Sequence, residues 1–151
     1  MPEVRPRAED AGMHAGGHLV DALDQAGHRL TGPRRTVAEL VAARDGHFTA
    51  ADLVADARDH GIGRATVFRS IELFTSLGLV ERVDLPGGEH AYVACETAHH
   101  HHAICTSCGR SFDVDDAGLS DVMARMGSRS GFKVTAHRLE IFGLCAACQS
   151  R

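Results

Sequence analysis

Apolar residues recur at helical spacing through the first half of the chain and then switch to alternation. Leu19, Val20 and Leu23 mark a helix over His18 to Ala26. Thr31 stands where an N-cap belongs, with Pro33 just inside a helix that runs to about Arg44 and buries Val37, Leu40 and Val41. Thr49-Ala50-Ala51-Asp52 reads as a capping box with aspartate in place of glutamate, opening a third helix through Leu53, Val54 and Ala57 that Gly61 and Gly63 end. The fourth helix, Arg64 to Leu77, carries Val67, Ile71 and Phe74 on one stripe and stops at Gly78. Two short alternating runs come next, Leu79 to Asp84 and Glu89 to Ala94, joined by the turn Pro86-Gly87-Gly88. Helices followed by a hairpin is the order of a winged helix.

The second half is mixed. The pattern predicts a strand over His101 to Ile104 and another over Ser111 to Val114. A helix through Leu119, Val122 and Met126 comes after them, capped by Asp115 or Asp116, and then a longer strand from Phe132 to Phe142. The expected class is α+β. It divides into an N-terminal arm at 1–17 that is flexible, a winged-helix domain at 18–94, a hinge at 95–98 and an α/β domain at 99–151. No internal repeat is present.

Charge changes this picture little. The formal net charge is −4, so any nucleic-acid contact must come from a local patch. All basic residues except Lys133 are arginine, which suits bidentate contacts to phosphates and base edges. No apolar run approaches the ~20 residues of a membrane span. Five cysteines without a signal-peptide pattern argue for a reducing compartment, the cytoplasm, and for metal ligation over disulfides.

Cys105/Cys108 and Cys145/Cys148 form two Cys-x-x-Cys pairs, the spacing at which two thiolates can face one ion. Two such pairs close a tetrahedral shell, and structural zinc is the expectation. A redox Cys-x-x-Cys would open a helix, whereas the first pair here connects two strands. His99 to His102 lead into that pair. In a strand, His100 and His102 share one face while His99 and His101 share the other, so one strand can serve two sites. For the first face, Cys95 and Glu81 complete a mixed thiolate, imidazole and carboxylate set, which favours zinc over magnesium or calcium. The alternative for Cys95 is a small buried packing residue. For the second face, His137 is the partner, with Asp113, Asp116 or Asp121 available as a carboxylate. The alternative for His137 is a hydrogen-bonded core histidine.

On the fourth helix, Arg64, Phe68 and Arg69 lie away from the buried stripe. Such a face before a wing suits the major groove, with Arg29, Arg34 and Arg35 holding phosphates. Neither a His-Glu-x-x-His nor a His-x-Glu followed by Pro-Cys-x-x-Cys occurs, which argues against a zinc hydrolase or deaminase. A zinc-buffering protein that does not bind DNA is the other alternative.

Four segments together resemble the ferric uptake regulator superfamily of metal-dependent repressors. They are Gly27-His28-Arg29-Leu30-Thr31 with Arg34, Ala65-Thr66-Val67-Phe68-Arg69-Ser70 with Gly78-Leu79-Val80, His99 to Cys105 with Cys108-Gly109, and His137 to Gly143 with Cys145 and Cys148. The resemblance covers the chain from about His18 onward. It implies a C-terminal dimerisation domain, a homodimer on palindromic operator DNA, and neither a membrane nor a small organic substrate as partner. It adds Thr66 to the DNA-contacting residues.

Within the superfamily, Glu81, Cys95, His100 and His102 are most similar to the regulatory site of the zinc uptake regulator branch. The branch has aspartate at the position of Glu81 in its actinobacterial form. Iron or manganese at that site is the alternative, in an iron- or peroxide-sensing regulator of the same superfamily. His47 matches a hinge histidine of iron and peroxide sensors and Asp113 a carboxylate of the peroxide branch, whereas Val93 and Ala94 replace acidic residues typical of those sensors. His99, His101 and His137 match a third site whose usual glutamate is Ser120 here. Phe68 replaces a tyrosine. Metal held jointly by Glu81 and the histidines is then expected to select the DNA-competent arrangement.

Overall fold

The computed structural model describes residues 4–5, 14–95, 101–114 and 118–150, with side chains from Leu19 onward. The chain divides into two compact units, residues 8–98 and residues 1–7 with 99–151.

The first unit holds α1 (His14–Gln25), α2 (Gly32–Ala42), α3 (Ala50–Arg58), α4 (Arg64–Ser76) and the hairpin strands β2 (Val80–Asp84) and β3 (His90–Ala94). This is the winged-helix order. The helix α1 starts four residues before the apolar pattern does, taking in part of the segment assigned to the arm. Its core combines Leu19 and Leu23 with Val37, Val41, Phe48, Leu53, Val67, Ile71, Phe74 and Val80.

The expected capping box on α3 is present: Thr49 Oγ1 accepts from the Asp52 N–H at 3.1 Å, and the Asp52 carboxylate accepts from the Thr49 N–H at 2.9 Å. The Thr49 N–H and the Thr49 hydroxyl, both donating to the carboxylate, hold the Asp52 carboxyl below its ordinary range. Thr31 does occupy the N-cap position of α2, but its side chain makes no capping hydrogen bond; Pro33 in the first turn sets the entry.

The end of α4 sets the direction of the wing. Gly78 takes φ 69°, the left-handed region, and the Leu79 N–H reaches Phe74 O at 2.9 Å while the Gly78 N–H reaches Thr75 O at 3.1 Å. That is a Schellman closure, which turns the chain from α4 straight into β2. The wing is antiparallel, with Glu81 opposite Val93 and Val80 opposite Ala94. Phe48 adds a bridge to Tyr92 on the other side of β3.

The second unit is a four-stranded sheet in the order β1-β5-β4-β6, from β1 (Val4–Arg5), β4 (His101–Cys105), β5 (Ser111–Val114) and β6 (Glu140–Gly143). It also carries α5 (Leu119–Ser130) and the short α6 (Ala146–Gln149). Val4–Arg5 pairs with Asp113 and Val114, so a second piece of the expected arm has regular structure. Gly118 is the N-cap of α5; the expected caps, Asp115 and Asp116, lie outside the described residues.

The long strand expected from Phe132 is shorter. Only Glu140–Gly143 pairs, parallel to β4, and residues 132–139 are irregular. Extended backbone becomes a strand only where a neighbour takes its N–H and C=O groups. Among the described residues no strand lies alongside 132–139, and Phe132 is 70% exposed.

Candidate functional site

Two tight turns bring the four thiols together. After β4 the chain reverses through residues 106–109, with Gly109 at φ 75° and its N–H on Cys105 O at 2.9 Å. After β6 the Cys148 N–H closes on Cys145 O at 2.9 Å at the start of α6. Parallel pairing of β4 with β6 places Cys105 opposite Gly143, so the two turns sit side by side. The sulfurs of Cys105, Cys108, Cys145 and Cys148 all lie within 4.8 Å of one another, and Cys108 Sγ to Cys145 Sγ is 3.9 Å.

Backbone N–H groups of Cys145 and Cys108, with that of Ser107, hold the Cys105 thiol down to about 6. Cys148 is pushed up to about 11: the Ser107 hydroxyl favours its thiolate, but the Cys145 thiol, burial and the thiols of Cys108 and Cys105 outweigh it. One sulfur therefore ionises readily and another resists, as expected where like charges share a small volume. Four thiolates at this spacing fit a divalent, thiophilic, tetrahedral ion, and no fifth ligand position is needed.

Arg110 was not anticipated. Its guanidinium donates to Cys145 Sγ at 3.8 Å and also hydrogen-bonds Cys108, which holds the Cys108 thiol below its ordinary value. The only sequence signal was its place two residues after the first pair.

In the first unit, the base of the wing sets a carboxylate beside a thiol. Cys95 is buried and its N–H donates to Leu79 O at 2.9 Å, directly after the Schellman turn. A carboxylate oxygen of Glu81 and Cys95 Sγ lie within 4.8 Å of one another. His47 belongs to the loop between α2 and α3 and is not part of that cluster.

In the second unit, His102 is 2% exposed and its Nδ1 lies 3.4 Å from Asp113 Oδ1. Cross-strand register pairs these two residues, so Asp113 shares the face of His102, not that of His101 as expected. The Asp113 carboxylate therefore sits beside the His102 imidazole, on the Nδ1 side of the ring. On the opposite face, His101 Nε2 and His137 Nε2 are 3.2 Å apart with ring centroids at 5.1 Å. His137 is thus a partner of His101 and not a core residue; residues 131–138 are exposed. Two facing imidazole nitrogens are a pair that a cation can bridge. Ser120 and Asp121 lie on α5 and are exposed. His99, His100 and Asp116 lie outside the described residues.

On α4, Arg64, Ala65 and Arg69 are exposed, and Thr66 and Phe68 are half-buried. The Arg64 guanidinium stacks over the Phe68 ring at 5.0 Å, and Phe68 itself packs on the core. The aromatic ring thus orients the arginine. Arg34 donates to Arg29 O at 2.8 Å, so it first ties α2 to the preceding turn, while the Arg29 side chain is exposed. No described helix is long and apolar enough to cross a membrane.

Residues 25–142 match the ferric uptake regulator family. The zinc uptake regulation protein of Mycobacterium tuberculosis is 35% identical over 130 residues, spanning 85% of this chain and 100% of its own length. The ferric uptake regulation protein of Legionella pneumophila is 32% identical over 130 residues, spanning 84% and 96%. Among solved structures, a zinc uptake regulator complexed with zinc and DNA aligns at TM-score 0.76 and 26% identity, covering 94% of this chain and 97% of that one. The Vibrio cholerae ferric uptake regulator aligns at TM-score 0.60 and 29% identity, covering 83% and 98%.

Proposed function

The chain belongs to the ferric uptake regulator family of metal-responsive transcriptional regulators, and on that premise we propose that it is a zinc-responsive repressor acting as a homodimer on palindromic operator DNA in the cytoplasm. Zinc-named and iron-named relatives stand at nearly equal identity, so the donor set has to decide the metal. The observation that carries zinc is the Cys95 thiol beside the Glu81 carboxylate at the base of the wing. A thiolate is a soft donor and favours zinc over iron(II) or manganese(II) in a site that also offers imidazoles.

The proposed regulatory set is Glu81 and Cys95 with His100 and His102, where a metal would add a Lewis-acidic charge that these residues hold. The four-cysteine cluster is the structural zinc site of the proposal. His99, His101 and His137 form its third site, with the His101–His137 pair as support. DNA is met by the exposed start of α4, with Arg64 and Arg69 directed at base edges, Thr66 and Phe68 beside them, and Arg29 and Arg34 at phosphates. The exposed Val122, Met126, Phe132 and Val134 give the second unit an apolar surface that a second copy would cover.

The test is metal content per chain without added metal, paired with binding to duplexes selected from a random library in buffered zinc or iron(II) under reducing conditions. One retained zinc and DNA binding switched on by very low free zinc supports the reading. Activation by iron(II) alone overturns the zinc assignment.

A further inference from the structure

Four thiolates around one divalent ion leave a net charge of about −2, confined here to sulfurs that lie within 4.8 Å of one another. Repulsion among them favours release of the metal unless a cation stands alongside. We propose that Arg110 is that cation: a positioning residue that neutralises the four-cysteine site and sets how slowly its zinc can be removed. The proposal rests on the reading of this cluster as the structural zinc site.

Four contacts place Arg110. Its donors reach Cys145 Sγ at 3.8 Å and Cys108, so one side chain spans sulfurs from both turns. Its backbone is locked beside the site, because the Cys105 N–H donates to Arg110 O at 2.9 Å. Its charged end also lies over the Phe112 ring, 5.9 Å from the centroid, which limits how far it can swing away. Charge-assisted N–H···S bonds offset the negative charge that the sulfurs share around a bound ion. Arg110 does this at Cys108 and Cys145 together. A lysine at the same place would keep the charge and lose the fork that spans two sulfurs.

The experiment compares full-length, zinc-loaded wild type with Arg110→Ala, Arg110→Glu and Arg110→Lys, following zinc transfer to a large excess of a chromogenic chelator. Cobalt-substituted samples supply the thiolate-to-metal charge-transfer band. The alanine variant is expected to lose zinc about tenfold faster, the glutamate variant faster still, and the lysine variant at a rate closer to wild type. The band should shift in the alanine variant and return most of the way in the lysine variant. Release from the alanine variant within twofold of wild type, with the band unmoved, overturns the proposal. A lysine variant as labile as alanine also overturns it, since charge would then not be the agent. A wild type whose cobalt form shows no sulfur charge-transfer band overturns the four-cysteine reading itself, and that result is distinct from the other two.

Discussion

Removing the structural metal should unfold the C-terminal unit while leaving the winged helix intact. Cys108 and Cys145 are 37 residues apart, and a metal joining their turns closes that loop much as a disulfide would. The loop-closure relation puts such a cross-link at about 4 kcal/mol at 25 °C. Small domains hold roughly 0.05–0.15 kcal/mol per residue, so a unit of this size has about 3–9 kcal/mol in all. Its buried apolar side chains are few: Ile104, Cys105 and Val114 among the described residues. Loss of the cross-link therefore removes a large share of the unit's stability. Amide exchange measured with and without chelator, under reducing conditions and with zinc loss confirmed, reads this directly. Protection in β4 and β5 should fall about a thousandfold, the equivalent of 4 kcal/mol. Amides in α2, α3 and α4 should change little, because the first unit has its own core of Leu53, Val67, Phe74 and their neighbours. Protection in β4 and β5 that drops less than tenfold after quantitative zinc loss would falsify the cross-link argument.

Other expectations rest on single contacts. Thr49→Ala should cost about 1 kcal/mol and lower the melting temperature of the winged-helix unit by about 4–8 °C in calorimetry. Because the Asp52 carboxyl is held below 3.8, the contribution of its charge is present above that pH and lost as pH falls through the folded value. The gap between wild type and Asp52→Asn should accordingly narrow in acid, and a gap constant down to the lowest pH would contradict the sign. Arg64→Ala or Arg69→Ala should each weaken binding to selected duplexes by about 1–3 kcal/mol and relax specificity, whereas Arg29→Ala should weaken all duplexes alike and reduce the salt slope. Cys95→Ser should raise the free zinc needed for DNA binding by at least tenfold with the four-cysteine zinc retained; an unchanged zinc response would return Cys95 to a packing role.

Much of the fold was legible because it is local. Helix starts and stops depend on residues three or four apart, so the Thr49–Asp52 box and the stop at Gly78 could be read directly, as could the wing turn at Gly87-Gly88. The paired cysteines were legible for the same reason, since their spacing alone defines two turns. Where local chemistry misled, a neighbour was missing or unforeseen. Thr31 has the residue type of a cap but makes no capping bond, because Pro33 already shapes that entry. The apolar alternation after Phe132 suggested a long strand, yet residues 132–139 find no partner among the described residues.

Sequence by itself therefore determined the order of the winged-helix elements, the α+β class and the family. All of these are written in short-range spacing and residue chemistry. Only tertiary structure decided which of the candidate ligands meet. Parallel pairing of β4 with β6 brings together cysteines far apart in the chain, and antiparallel register hands Asp113 to His102 while His137 goes to His101. It also decided that Arg110 reaches two sulfurs. Register and side-chain reach are long-range properties: they depend on which strands pair and by what offset, and no run of neighbouring residues encodes that offset.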